Sequence, residues 1–217
     1  AKTGDKELTA MVRLADGSTL VAGAPSGRIY RLGSDDKLTT ATRIHAGIVW
    51  RMTLDAKGDV WAATGPEGRL FRLHPSGDKV DAVEVAKLNS SNLLGLWIDN
   101  EGKMGKAGEL YIAGQDPGWV YRATADGKQV DVIYHAQAEE VRAIAPFAEG
   151  LALALNTERA PTSQALGLAI RVAGGGISAA NAAQQPPPPP TPPPGAGSDP
   201  QSAAALNQAF APSRRSG

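Results

Sequence analysis

The sequence predicts an all-β fold assembled from repeated four-stranded antiparallel sheets, and three observations predict it. A short phrase returns four times: a glycine, three mostly apolar residues, then an arginine. It reads Gly27-Arg28-Ile29-Tyr30-Arg31, Gly68-Arg69-Leu70-Phe71-Arg72, Gly118-Trp119-Val120-Tyr121-Arg122 and Gly167-Leu168-Ala169-Ile170-Arg171. The glycines lie 41, 50 and 49 residues apart, a period that belongs to stacked or radial repeat architectures. Within every period, apolar strand-like runs alternate with Asp, Gly and Pro turn signals, and no stretch shows the periodicity a helical repeat needs.

The elements follow in order. The first strand of each unit is predicted at Thr9–Leu14, Val49–Leu54, Leu93–Ile98 and Glu140–Ala145. Turns follow at Asp16-Gly17, Asp55-Ala56-Lys57-Gly58, Asp99-Asn100-Glu101-Gly102 and Glu149-Gly150. Aspartate there bonds the backbone two residues on, and glycine accepts positive φ. Second strands are expected at Thr19–Gly23, Asp59–Thr64, Glu109–Gly114 and Leu151–Leu155. Leu20-Val21-Ala22 and Leu110-Tyr111-Ile112-Ala113 are apolar without alternation, as suits strands covered on both faces. Ala24-Pro25-Ser26-Gly27 and Gly65-Pro66-Glu67-Gly68 suit type I turns, and Asp116-Pro117-Gly118-Trp119 suits type II. The Gly…Arg phrase is the third strand. After turns at Ser34-Asp35-Asp36, Pro75-Ser76-Gly77 and Ala125-Asp126-Gly127, fourth strands are expected at Thr39–Ile44, Val83–Leu88 and Val130–Tyr134. His74, before Pro75, is expected in an exposed outer turn.

Four short antiparallel strands per repeat of about 40–50 residues is the pattern of a β-propeller blade. Residues 1–173 are therefore expected to form a partial β-propeller, with blades at about 7–45, 46–88, 89–135 and 136–173: three complete blades and three strands of a fourth. Ten of the 16 prolines fall after residue 185, and no lysine occurs beyond Lys128. Gln184 to Pro194 is nearly pure proline, which favours polyproline II. Residues 174–217 are read as a disordered Pro/Ala/Gly-rich linker or tail, with one or two helical turns over Ser202–Phe210. The tract reads as a spacer more readily than as a ligand for an aromatic-lined groove.

The phrases Asp59-Val60-Trp61-Ala62-Ala63-Thr64-Gly65-Pro66-Glu67-Gly68-Arg69-Leu70-Phe71-Arg72-Leu73 and Glu109-Leu110-Tyr111-Ile112-Ala113-Gly114 resemble bacterial propeller proteins of the broad WD-repeat and NHL-type superfamily. The resemblance covers about residues 7–173. It implies the fold; its members serve as scaffolds, sensors and enzymes. The Trp-Asp dipeptide and Gly-His signature of eukaryotic WD repeats are absent.

An arc of this size leaves open sheet edges. Either the chain is a piece of a longer propeller, or a second copy closes the ring. The chain has 217 residues, no cysteine, and 22 residues of each charge sign. Cysteine nucleophiles, disulfides and cysteine metal sites are excluded. A balanced charge argues against nucleic acid. No apolar run approaches the roughly 20 residues of a membrane helix, and the sequence does not decide the compartment.

Arg31, Arg72, Arg122 and Arg171 share one register. Their repetition favours a structural latch between blades over a ring of ligand-gripping cations. The loops after second and fourth strands share one propeller face, the default binding face; it carries His45, Glu67, Asn89, Gln115, Asp116, His135, Glu139 and Glu140. Asp116, His135 and Glu139 are the one set there with acid–base potential. Histidine spacing suggests no metal site, and Asp16, Asp55 and Asp99 read as turn formers rather than calcium ligands. Asn89-Ser90-Ser91 matches a glycosylation sequon. Trp50, Trp61, Trp97 and Trp119 read as packing residues. No cofactor motif is present. The sequence thus leads to a non-enzymatic binding or scaffolding module for a protein, peptide or glycan, with a propeller hydrolase or lyase near Asp116, His135 and Glu139 as the alternative.

Overall fold

The computed structural model describes residues 3–148, 150–156, 167–173 and 176–181, the last two segments by their backbone. These residues form sixteen strands and no helix. The first sheet runs β1 (Glu7–Arg13), β2 (Thr19–Ala24), β3 (Arg28–Leu32), β4 (Leu38–Arg43), each antiparallel to the next. The second runs β5 (Ile48–Leu54), β6 (Val60–Gly65), β7 (Arg69–Ser76), β8 (Lys79–Lys87) in the same way. The third is β9 (Asn92–Asp99), β10 (Glu109–Gln115), β11 (Trp119–Ala123), β12 (Val130–His135). The fourth is β13 (Glu140–Phe147), β14 (Gly150–Asn156), β15 (Gly167–Ala173), β16 (Gly176–Asn181). One pairing, Gln115 to Glu140, joins the third and fourth sheets.

Three expectations are corrected. The fourth sheet has a fourth strand, β16, where the tail was expected to begin. Gly176-Ile177-Ser178-Ala179-Ala180-Asn181 carries little strand propensity, but the edge of β15 supplies ladder bonds that do not depend on side chains. The prolines after the second strands sit on cis peptide bonds, Ala24-Pro25, Gly65-Pro66 and Asp116-Pro117. Cis proline belongs to a type VI turn, not types I or II, and the tertiary amide is what makes the cis form accessible. Finally, β7 continues through His74 and Pro75 to Ser76, paired with β8, so the turn shrinks to Gly77-Asp78. The proline tract and the rest of the tail lie outside the described residues.

The sheets stack face to face in chain order, and alternation along the second strands explains how. Val60 and Ala62 of β6 point into one core with Leu20, Ala22, Ile29, Val49, Met52 and Phe71. Trp61 and Ala63, one residue out of phase, point into the next core with Leu93, Leu96, Leu110, Ile112 and Tyr121. Tyr111 and Ala113 of β10 then face Val120, Val141, Leu151 and Leu153. Each seam is thus a small dry core, and each fully buried Leu, Ile or Val there contributes roughly 1.5–3 kcal/mol. β1 lies beside β5, β5 beside β9, and β9 beside β13. The first strand of every sheet is therefore innermost. Each of these strands pairs with a β-bulge near its start, at Thr9, Trp50, Leu94 and Arg142, which adds twist at the same place in each sheet.

The repeat glycines close each sheet against the connector that leaves it. The carbonyls of Gly27, Gly68 and Gly118 accept from the N–H groups of Ile44, Leu88 and Ala136 at 2.9, 2.9 and 3.0 Å. Gly68 has φ of +59°, and a Cβ there would meet the Ser90 carbonyl oxygen at 1.9 Å. At Gly118 a Cβ would meet the Ala138 carbonyl oxygen at 2.3 Å.

Candidate ligand groove

One position before each inner strand carries a polar plug in blades one and three and alanine in blades two and four. By register, Asp5, Ala46, Ser90 and Ala138 are equivalent, each two residues before its inner strand. The Asp5 carboxylate accepts from the Tyr30 hydroxyl at 2.6 Å and from the Ser26 hydroxyl at 2.7 Å. Burial pushes the Asp5 carboxyl up, but its hydrogen bonds from Ser26 and Tyr30 outweigh this and hold it below the usual carboxylate range. Ser90 Oγ lies 2.9 Å from the Tyr121 hydroxyl and donates to the Pro117 carbonyl at 2.7 Å. Both plugs need glycine on the second strand: a Cβ on Gly23 would meet Asp5 Oδ2, and one on Gly114 would meet Ser90 Oγ, each at 2.3 Å.

The second sheet exchanges all three residues together. Ala46 replaces the polar plug, Thr64 replaces the glycine, and Phe71 replaces the tyrosine. Thr64 turns its hydroxyl to the Arg69 carbonyl at 2.7 Å. No plug crosses from Ala46, and a cavity of about 540 Å³ opens there. It is lined by Pro25 and Ser26, by the connector Arg43 to Gly47, and by Thr64, Gly65, Pro66, Glu67 and Arg69. Trp50 and Asn92 crowd Gly65 of this lining: the Trp50 indole N–H donates to Asn92 Oδ1 at 2.9 Å, and the Asn92 amide donates to Gln115 Oε1 at 3.0 Å.

The charges of the groove are unequal. On the second sheet, Arg69 donates through Nε to Glu67 at 3.0 Å and also pairs with Glu84, while Lys87 lies 3.5 Å from Glu67. The hydrogen bond from Arg69 holds the Glu67 carboxyl below its usual range. On the first sheet, Arg43 donates through Nε to the Ser26 carbonyl at 2.9 Å. It has no carboxylate partner among the described residues. Arg28 stands directly opposite Arg43 in the ladder, a like-charge pair that costs stability unless an anion shields it.

The expected face residues separate. His45 and Glu67 line the groove. Asn89 is exposed in the next connector. Gln115 belongs to the Trp50–Asn92 chain. Glu140 bonds Arg142 and Asn156 at 3.3 and 3.2 Å. Asp116 and Glu139 meet through main-chain groups, the Asp116 N–H donating to the Glu139 carbonyl at 2.9 Å. His135 stacks on Trp119, with ring centroids 4.6 Å apart and planes at 11°. Among the described residues no group of three or more His, Asp or Glu is placed to hold a metal ion. Asp16, Asp55 and Asp99 each accept backbone N–H groups of their own turns.

The repeat arginines lie toward the opposite ends of the strands. Arg31 reaches the Gly77 carbonyl of the second sheet and also pairs with Asp16. Arg72 pairs with Asp59 through Nε at 2.6 Å and lies 5.8 Å over the Trp61 ring. Arg122 stands 3.6 Å from Asp131. The side chain of Arg171 lies outside the described residues. His74 is 65% exposed, yet its Nδ1 is 2.5 Å from Asp59 Oδ1. Arg43 and Arg69 were not singled out as site residues in the sequence. The signal was cross-strand: Arg28–Arg43 and Arg69–Lys87 pair cations where Trp119–His135 pairs rings.

No family model and no curated protein matches the chain. Solved structures do. Virginiamycin B lyase from Staphylococcus aureus is 16% identical with a TM-score of 0.60, covering 86% of this chain and 58% of that one. A putative 6-phosphogluconolactonase from Bacteroides uniformis is 11% identical with a TM-score of 0.59, over 80% of this chain and 53% of that one. An auxiliary nutrient binding protein from Bacteroides thetaiotaomicron is 13% identical with a TM-score of 0.56, over 77% and 39%. The fold is a β-propeller. Its four sheets are blades, with β1, β5, β9 and β13 innermost, and the chain spans a little over half of the lyase's length. The groove lies at the seam between blades one and two, on the propeller face that carries the turns after the second strands.

Proposed function

We propose that this propeller is a non-enzymatic binding module, and that the groove between blades one and two takes an acidic group on a protein, peptide or glycan. The carrying observation is the broken repeat. Asp5 and Ser90 are polar plugs on blades one and three, whereas Ala46 leaves an open crevice between blades one and two, flanked by an arginine without a carboxylate partner. A guanidinium held on one side by a backbone carbonyl keeps its remaining N–H groups for a carboxylate, phosphate or sulfate. His45 and Arg69 approach the same space.

The alternative is a hydrolase or lyase using Asp116, His135 and Glu139. A lyase and a putative lactonase among the similar structures keep it in view, but likeness at this identity carries fold alone. His135 is committed to Trp119, which supports binding over acid–base chemistry there.

The test is retention on arrays of acidic and neutral peptides and of uronic or sulfated glycans. The expected result is retention of acidic probes, lost in Arg43→Ala and kept in Asp116→Asn. Turnover of a retained probe that disappears in Asp116→Asn would establish the enzyme reading instead.

A further inference from the structure

The apolar pattern that each blade turns toward its predecessor is present on blade one as well. By register, Leu8 of β1 is equivalent to Val49, Leu93 and Val141, which are all 0% exposed. Met11 is equivalent to Met52 and Leu96, which are 5% and 6% exposed inside the first and second seams. On blade one, Leu8 is 54% and Met11 69% exposed. These positions are apolar in every blade, and only blade one leaves them in water.

The complementary half lies on blade four. Ala22, Ala63 and Ala113 are equivalent positions on the second strands, each 0% exposed and each facing the following blade. Their counterpart Ala154 of β14 is exposed. Blade one thus presents the receiving half of a blade-to-blade seam, and blade four the entering half.

We propose that a second copy of this chain supplies the missing half head to tail, so that the Leu8–Met11 face of one copy takes the Ala154 face of the other. The occupant follows from continuity with the three seams already formed: the same register positions meet in the same order, and both halves are carried by one chain. Such a contact is heterologous and makes a closed assembly when its rotation closes. Two copies of four blades give about eight, within the range that propellers use.

Sedimentation of the full chain tests this. The expected mass is twice the 22.4 kDa of one chain, falling to one chain in Met11→Glu and separately in Ala154→Arg, with unchanged far-ultraviolet spectra. Both substitutions fall on exposed side chains, so folding should survive them. Peroxide footprinting adds an internal control: in the dimer Met11 is expected to resist oxidation like buried Met52, and in Met11-exposing Ala154→Arg to react freely. An equimolar mixture of the two variants retains one unaltered seam and should recover a two-chain species. A wild-type chain that stays at single mass, with Met11 oxidised as fast as free methionine, overturns the proposal.

Discussion

At the residue scale, Asp59 shows how one buried charge is tolerated. Its side chain is only 3% exposed, and Arg72 and His74 converge on it. Burial pushes the carboxyl up; hydrogen bonds from His74 and Arg72 outweigh that and leave it below the usual range. A carboxyl lowered in the folded state stabilises fully above its unfolded value, and this stabilisation fades as pH falls through the folded one. Asp59→Asn should therefore flatten the acid limb of a plot of melting temperature against pH. Near neutrality it should cost about 2 kcal/mol, the scale of hydrogen bonds to charged groups. Arg72→Met removes a partner while leaving the buried carboxylate and should lower the melting temperature too; an unchanged value would show that the repeat arginine is not structural. Little of this was legible beforehand. The arginine register was visible, but the partner on Asp59 depends on β7 running on to His74, which Pro75 masked.

At the element scale, the strands other than β7 and β8 were readable to within about two residues because the repeat superimposes four noisy signals. The extent of β8, the presence of β16 and the cis prolines were not. Each is set by ladder bonding or by a neighbouring segment rather than by local composition. Of the groove lining, His45 and Glu67 are legible in the sequence as loop-face residues, whereas Arg43 and Arg69 show only in cross-strand pairing. The plug exchange makes a prediction of its own. Gly114→Thr alone forces a side chain into Ser90 and should cost about 1–3 kcal/mol, the usual penalty of overpacking. Adding Ser90→Ala and Tyr121→Phe reproduces the Ala46, Thr64, Phe71 set of blade two. Urea unfolding should show much of the loss recovered in the triple variant. Equal stability of the single and triple variants would mean that the three positions are not coupled.

At the scale of the whole molecule, stability should be graded along the arc. Blades two and three have dry cores on both faces, as the split of β6 and β10 between seams requires. Blade one has a formed seam on one side only. In repeat architectures each unit draws much of its stability from its neighbours. Native-state hydrogen exchange of Met11→Glu, which removes the proposed association, should find the slowest amides in β6 and β10 and faster exchange in β2. Uniform protection across the first three blades would indicate a single cooperative unit instead.

The three-residue exchange at the seams has an evolutionary corollary. Shutting one crevice, or opening another, asks for three side-chain changes and disturbs no ladder hydrogen bond. Recognition can thus migrate around such an arc by a few codons at a time while the scaffold stays constant. Relatives of this chain would then share architecture closely yet carry their specificity at different seams.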